Sequence, residues 1–145
     1  MNFLCIIPAR GGSKGIKNKN IVKLKKKKLL EYTLDVANKI KFVKKTILSS
    51  DSRKILNVAK KYKNIITHKR PQYLASDKAL TIDTVRLLLD DEKKLGNKYD
   101  YVIILMATSP LRKINHLTDC IKLVKLKKPD SLVSVHKLGK PLEWL

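Results

Sequence analysis

Short apolar segments alternate with amphipathic segments along this chain of 145 residues. The apolar segments predict strands at residues 3–8, 46–50, 64–68, 101–106 and 131–136. The first and fourth of these segments are continuous runs of apolar residues, which is typical of strands buried on both faces of a parallel sheet. The pattern therefore indicates a mostly parallel sheet.

Between the predicted strands, apolar residues recur at the three- and four-residue spacing of a helix face. The predicted faces are Leu30-Leu34-Ala37-Ile40, Ile55-Val58-Ala59-Tyr62, Ile82-Val85-Leu88-Leu89 and Leu117-Ile121-Val124. We expect Ser52, Thr81 and Asn115 to cap the last three helices, because their side-chain oxygens can accept hydrogen bonds from the first turn. This alternation predicts an α/β, Rossmann-like fold with helices on both faces of the sheet.

The composition suits a single domain, or a part of one, in the cytoplasm. A hydrophobic fraction of 43% allows one sizeable core. No segment approaches the roughly 18–20 consecutive apolar residues of a membrane span, and the first residues lack the pattern of a secretory signal. Cys5 and Cys120 have no metal-ligand spacing, so we expect two reduced thiols.

The charge is strongly basic, with 33 Lys and Arg residues against 12 acidic ones and a formal net charge of +21. Such a balance invites a nucleic-acid function, which stays open as an alternative. However, the lysines are spread over nearly every polar segment, and runs such as residues 25–28 have few aromatic residues among them for stacking bases. We expect the positive field to attract anionic nucleotides instead.

The clearest chemistry follows the first predicted strand, in the segment Arg10-Gly11-Gly12-Ser13-Lys14. Glycines let the backbone N–H groups approach an anion, and the two cations add charge-assisted contacts. The spacing matches neither GxxxxGK[ST] nor GxGxxG. We expect a phosphate-binding loop of another class, over which the segment carrying Lys19 and Asn20 folds back.

Polar clusters also end the other predicted strands, and parallel strands present their carboxyl ends at one edge of the sheet. We therefore expect four loops to line one cleft. They contain Gly11-Gly12, Ser49-Ser50-Asp51, Arg70-Pro71 and Thr108-Ser109-Pro110-Leu111-Arg112.

These ordered motifs resemble the cytidylyltransferases that activate acidic nine-carbon sugars, the acylneuraminate (CMP-sialic acid) synthetase family and its relatives for legionaminic and pseudaminic acid. The resemblance covers almost the whole chain and implies a glycosyltransferase-A-like nucleotidyltransferase domain over residues 1–145, specifically its N-terminal, nucleotide-binding part. It rests on Ile7 to Gly15 with Lys19-Asn20, on Leu48-Ser49-Ser50-Asp51, on Arg70-Pro71 with Leu74-Ala75-Ser76-Asp77, and on the Thr-Ser-Pro-Leu-Arg block.

The resemblance implies a reaction in which the anomeric hydroxyl of an acidic sugar attacks the α-phosphate of CTP, giving a CMP-sugar and pyrophosphate. It assigns catalytic contacts with the triphosphate to Arg10, Lys14 and Lys19, with Ser13 beside them. It assigns nucleoside contacts to Asn20, Arg70 and Thr81, while Gly11 and Gly12 offer N–H groups. Met106 stands where the family commonly has a glutamine that contacts the sugar.

The resemblance also implies Mg²⁺ or another divalent cation, a homodimer, and a late Asp-x-Asp pair that holds the metal. No Asp-x-Asp occurs in this sequence, so we expect a fold that is incomplete at the C-terminus, without the dimerisation segment. Asp51 is then the best candidate metal ligand. A nucleotide-binding remnant without turnover and a nucleotidyltransferase for another sugar acid remain the alternatives within the fold.

Overall fold

The computed structural model describes residues 1–13 and 15–135. Across these residues the strands are β1 (Phe3–Pro8), β2 (Lys23–Leu24), β3 (Lys27–Lys28), β4 (Lys45–Ser50), β5 (Ile66–Lys69) and β6 (Tyr101–Ile104). The helices are α1 (Leu29–Ala37), α2 (Arg53–Ala59), α3 (Thr81–Lys94) and α4 (Ile114–Lys127), with short 3₁₀ turns at Lys19–Ile21 and Gln72–Ala75.

Four of the strands form a parallel sheet in the order β5-β4-β1-β6, while β2 and β3 pair as a small antiparallel ribbon. The order changes direction at β1, from which the chain builds outward to β4 and β5 and later returns to β6. Parallel strands joined by helical connections confirm the predicted α/β, Rossmann-like fold. The loops after β1, β4, β5 and β6 consequently share one edge.

The core centres on β1, all of whose residues are buried. Leu4 and Ile6 pack with Ile47 of β4 and with Val85 and Leu88 of α3. Alternate residues of a strand face opposite sides of the sheet, so burial of the entire strand means that both faces are covered at β1. The uniformly apolar sequence of this segment follows from that position.

The structure divides into two compact units, of which Met1–Ile114 holds the whole sheet and the first three helices. The second unit begins at Asn115 and contains nearly all of α4. Leu117, Ile121 and Val124 are the buried residues of α4 and share one helical face, as their spacing predicts. No described helix is both long and apolar enough to span a membrane.

One predicted strand does not form in its described part, and two others are shorter than predicted. The strand expected at 131–136 does not form at residues 131–135, where Val133 and Val135 are 79% and 88% exposed and pair with no described strand. The predicted strand at 64–68 begins at Ile66, and that at 101–106 ends at Ile104. His136 lies outside the described residues.

The predicted caps also need correction. Ser52 is the N-cap of α2, but its side chain makes no capping bond. Thr81 is the first residue of α3 rather than its cap; Leu80 holds that position, and its N–H donates to Asp83 Oδ2 at 3.3 Å. Asn115 lies inside α4, because the helix begins one residue earlier at Ile114. A first-turn carboxylate thus replaces the hydroxyl expected to cap α3.

Candidate functional site

A cleft of about 430 Å³ opens at the carboxyl edge of the sheet. It draws residues from the loops after β1, β5 and β6 and from the start of α3. Of the residues predicted to bind a ligand, it brings together Arg10, Ser13, Lys19, Asn20, Arg70 and Thr81. The remaining lining residues are Pro8, Gly15, Leu74, Ser76, Asp77, Ala79, Leu80, Met106 and Thr108.

The glycine loop is held in place from both sides. Ala9 N–H donates to Ser49 O at 3.0 Å and Gly11 N–H donates to Asp51 Oδ1 at 2.8 Å, which ties the loop to the end of β4. The side chain of Asn20 donates through Nδ2 to Arg10 O at 2.9 Å. The loop is therefore shaped before any ligand binds.

Gly11 and Gly12 do not line the cleft, although they were predicted to offer their N–H groups to a nucleotide. The Gly11 N–H is bonded to Asp51. A Cβ at Gly11 would lie 2.9 Å from Ser52 Cβ and 3.3 Å from Asp51 Oδ2, whereas a Cβ at Gly12 would meet nothing within 4 Å. The glycine at position 11 is thus required by close packing. Lys14 lies outside the described residues.

Arg10 reaches across the cleft to the segment after β5. Its Nη1 lies 2.9 Å from Asp77 Oδ1 and 3.3 Å from Ser76 O. Both side chains of this ion pair are partly exposed, at 36% and 46%. Sequence reasoning missed the pair, since the two residues are 67 positions apart and no local pattern relates them.

Arg70 is a buried cation beside the cleft, with only 6% of its surface exposed. Its Nη2 donates to Ser49 O at 2.9 Å and its Nε donates to Ser49 Oγ at 3.3 Å. Burial lowers the pKa of the guanidinium, and the charge of Asp51 opposes that shift. An arginine remains charged under these conditions, so the cleft contains a fixed positive group.

The loop after β6 is anchored through the carbonyl of Met106. Arg112 Nη1 and Thr33 Oγ1 both donate to this oxygen at 3.3 Å, and Thr33 is fully buried. Arg112 therefore holds the loop in place through a backbone carbonyl and does not itself line the cleft. Met106 itself is 43% exposed and lines the cleft.

Two carboxylates near the cleft, Asp51 and Asp77, are hydrogen-bonded within the protein. Asp51 Oδ1 accepts the Gly11 N–H, and Asp77 pairs with Arg10. Within residues 1–13 and 15–135, no group of three or more His, Cys, Asp or Glu side chains is arranged to hold a metal ion. That Asp51 binds a metal stays a prediction.

Comparison with known proteins adds to this geometry. The sequence model of the family described as Cytidylyltransferase matches residues 4–143. An N-acylneuraminate cytidylyltransferase from Escherichia coli O18:K1:H7 is 35% identical over 140 residues, covering 96% of this chain and 32% of that protein. A CMP-N,N'-diacetyllegionaminic acid synthase from Campylobacter jejuni is 40% identical over 109 residues, covering 74% and 46%. The chain thus spans half or less of the length of these two relatives.

Solved structures share the fold. A CMP:2-keto-3-deoxy-manno-octonic acid synthetase complexed with CTP has a TM-score of 0.66 at 14% identity, covering 88% of this chain and 49% of that one. The Mycobacterium tuberculosis protein Rv0371c in complex with manganese has a TM-score of 0.58 at 15% identity, covering 85% and 59%. At such identities the likeness concerns the fold alone.

Proposed function

This chain belongs to the cytidylyltransferase family, and we propose that it forms the nucleotide-binding part of an enzyme that transfers CMP from CTP to an acidic nine-carbon sugar. Sialic, legionaminic and pseudaminic acids are the candidate acceptors, because relatives bearing these names are 32–40% identical. The observation that carries the proposal is the convergence of Arg10, Ser13, Lys19 and Arg70 on one cleft.

The size and charge of the cleft support a nucleotide as its ligand. A volume of about 430 Å³ falls within the roughly 300–1,000 Å³ typical of small-molecule sites. Arg10, Lys19 and Arg70 supply positive charge, and Asp77, the only acidic side chain among the described lining residues, is paired with Arg10. A triphosphate matches this balance better than a neutral ligand does.

Within the proposed reaction, the anomeric oxygen of the sugar attacks the α-phosphorus in line, and the bond to the departing pyrophosphate breaks. Arg10 and Lys19 bind the phosphates and offset the developing charge, together with Lys14 as the resemblance implies. Arg70, Asn20 and Thr81 hold the nucleoside, and Met106 faces the acceptor. The protein therefore acts by positioning and electrostatic stabilisation.

A divalent cation, Mg²⁺ by the resemblance, is a further part of the proposal. It is supported by the manganese complex of a protein with the same fold and by the high negative charge of a triphosphate. A hydrogen-bonded carboxylate can still bind a metal, but within the described part of the chain Asp51 and Asp77 belong to no group of three or more candidate ligands. A cytoplasmic location and a homodimer are likewise proposals.

Calorimetry on this chain with CTP, UTP and ATP tests the proposed ligand. Lys19→Ala removes a cation that lines the cleft, whereas Lys17→Ala removes an exposed cation from the same loop that does not line it. We expect CTP to bind selectively, and Lys19→Ala to weaken binding roughly 10- to 100-fold while Lys17→Ala changes it little. Equal losses in the two variants would show only non-specific attraction to the basic surface.

Pyrophosphate release tests turnover. The chain is assayed with CTP, Mg²⁺ and each of the three sugar acids. Release that depends on one sugar supports the transfer reaction and identifies its acceptor. CTP-selective binding with no release from any of the three would reduce the function of this chain to nucleotide binding. Strongly salt-dependent DNA binding with no nucleotide preference would favour the nucleic-acid alternative.

A further inference from the structure

A series of hydrogen bonds runs behind the cleft, from the half-buried His68 through Ser49 to Arg70. Ser49 Oγ lies 3.1 Å from His68 Nδ1 and receives a hydrogen bond from Arg70 Nε at 3.3 Å. Ser49 is fully buried, and Arg70 is almost so. Of these three residues only Arg70 lines the cleft.

The chemistry of Arg70 fixes the direction of one of these two hydrogen bonds, and the tautomer of His68 sets the direction of the other. Arg70 Nε–H can only donate, so Ser49 Oγ is its acceptor. The hydroxyl retains one proton of its own, and the nearby acceptor for that proton is His68 Nδ1. With an unprotonated Nδ1 and the imidazole proton on Nε2, the hydroxyl proton has an acceptor on His68. In the opposite tautomer the two lone pairs of the hydroxyl oxygen would accept from Arg70 Nε–H and His68 Nδ1–H, and the hydroxyl proton would lack this partner.

We propose that His68 is a positioning residue, whose Nδ1 orients the Ser49 hydroxyl and thereby fixes the Arg70 guanidinium at the edge of the nucleotide cleft. The inference rests on the proposed function for the role of Arg70 and on the structure for the chain of contacts. It deepens that function, because it places one determinant of nucleotide affinity on a side chain that does not line the cleft.

The surroundings of His68 keep its ring neutral. Burial lowers its pKa below the usual value, Asp91 on α3 raises it and Arg70 lowers it. His68 shares a face with Ile47, because β5 pairs with β4 in the register Ile47↔Ile66 and Ser49↔His68. The helix α2 also packs on β5 and carries Arg53 and Lys54, both exposed. At neutral pH the ring can therefore accept a hydrogen bond from the Ser49 hydroxyl, and once protonated at acidic pH it cannot.

A matched pair of substitutions isolates the acceptor. Asn and Leu have the same branched shape, but only Asn places an oxygen near the position of Nδ1. We expect His68→Leu to weaken CTP binding roughly 5- to 30-fold and His68→Asn to leave it within about threefold of the native value. As the pH falls below the usual histidine pKa of 6.5, the native chain should lose affinity relative to His68→Asn. The titration of CTP itself affects the two proteins equally and cancels in this comparison.

Nitrogen-15 NMR of the ligand-free chain gives an independent readout. We expect an unprotonated Nδ1 at neutral pH, and an Arg70 Nε–H that exchanges slowly in the native chain and in His68→Asn but faster in His68→Leu. A protonated Nδ1 at neutral pH, or equal exchange and equal CTP affinity in the two variants, would overturn the inference. If the native chain binds no CTP, the proposed function fails while the NMR result still decides whether His68 positions Arg70.

Discussion

The close packing of Gly11 against the end of β4 leads to a sharp mutational prediction. In Gly11→Ala, the new Cβ would lie 2.9 Å from Ser52 Cβ and 3.3 Å from Asp51 Oδ2. Rotation of a side chain cannot relieve the first contact, because Ser52 Cβ is fixed by the backbone at the N-cap of α2. The loop must therefore move away from β4, which lengthens the 2.8 Å bond from Gly11 N to Asp51 Oδ1.

The size of the effect follows from the overlap. Carbon atoms pack best at about 3.5–4.0 Å, so the contact is short by roughly 0.6–1.1 Å. Overpacking of this kind costs about 1–3 kcal/mol. If the displacement falls on the nucleotide loop, a loss of about 2 kcal/mol in binding lowers CTP affinity roughly 30-fold.

Two further variants make the assay specific. Gly12→Ala is the matched control, because its Cβ meets nothing within 4 Å and the residue is not in the left-handed region. Ser52→Gly removes the Cβ that causes the clash. Because the Ser52 side chain makes no capping bond, this substitution alone should lower the free energy of unfolding by only a few tenths of a kcal/mol. CTP affinity by calorimetry and the free energy of unfolding are measured for each single variant and for the double variant.

We expect Gly12→Ala to bind CTP like the native chain and Ser52→Gly to restore most of the affinity lost in Gly11→Ala. The coupling between positions 11 and 52 should then approach the full loss, as expected for residues in direct contact. Equal behaviour of Gly11→Ala and Gly12→Ala, or a double variant no better than Gly11→Ala, would refute the packing argument.

Two other predictions concern ion pairs. Asp77→Asn should raise CTP affinity up to about fivefold in calorimetry, because loss of the ion pair frees Arg10 for phosphate and a partly exposed pair is worth only about 0.2–1 kcal/mol. Weaker CTP binding would mean that Asp77 instead holds Arg10 in position. Although burial raises the pKa of Glu92, its bonds to Lys45, Tyr99 and Asn97 lower it below the usual value of 4.5. The stability from Glu92 is therefore present above about pH 4.5 and lost below it, and Glu92→Gln should cost roughly 1–3 kcal/mol at pH 7 and flatten this acid loss in urea titrations. If the free energy of unfolding depended on pH in the same way in the native protein and in Glu92→Gln, Glu92 would not be the source of the acid loss.

The sequence predicted the structural elements correctly where the apolar pattern of a segment matches the burial of its residues in the fold. β1 is apolar throughout and is buried throughout, so its bounds of residues 3–8 are correct. Ile40 and Tyr62 follow the apolar period of their helices and are buried, yet α1 ends at Ala37 and α2 at Ala59. The apolar spacing of a helix can continue into the turn that follows it, because residues of that turn still face the core. At these two helices, the spacing therefore predicts burial better than it predicts where the helix ends.

Contacts between distant segments were beyond the reach of sequence patterns. The carboxyl-edge rule predicted that the loops after four strands would line one cleft; the loops after β1, β5 and β6 do so, whereas Ser49-Ser50-Asp51 after β4 does not. The rule does not say which groups bond to each other once they meet. The pairing of Arg10 with Asp77 and the use of the Gly11 N–H by Asp51 depend on distances of a few ångströms between loops, which no local signal encodes.

The end of β4 links the two sides of the cleft. Ser49 O accepts hydrogen bonds from Ala9 N at 3.0 Å and from Arg70 Nη2 at 2.9 Å, and Asp51 holds Gly11 two residues later. The glycine loop and the buried arginine are thus fixed to the same three-residue segment, although neither Ser49 nor Asp51 lines the cleft. Any change that moves this segment must shift both groups together. Substitutions there should therefore weaken phosphate and nucleoside contacts at once, whereas substitutions at Lys19 should affect the phosphates alone.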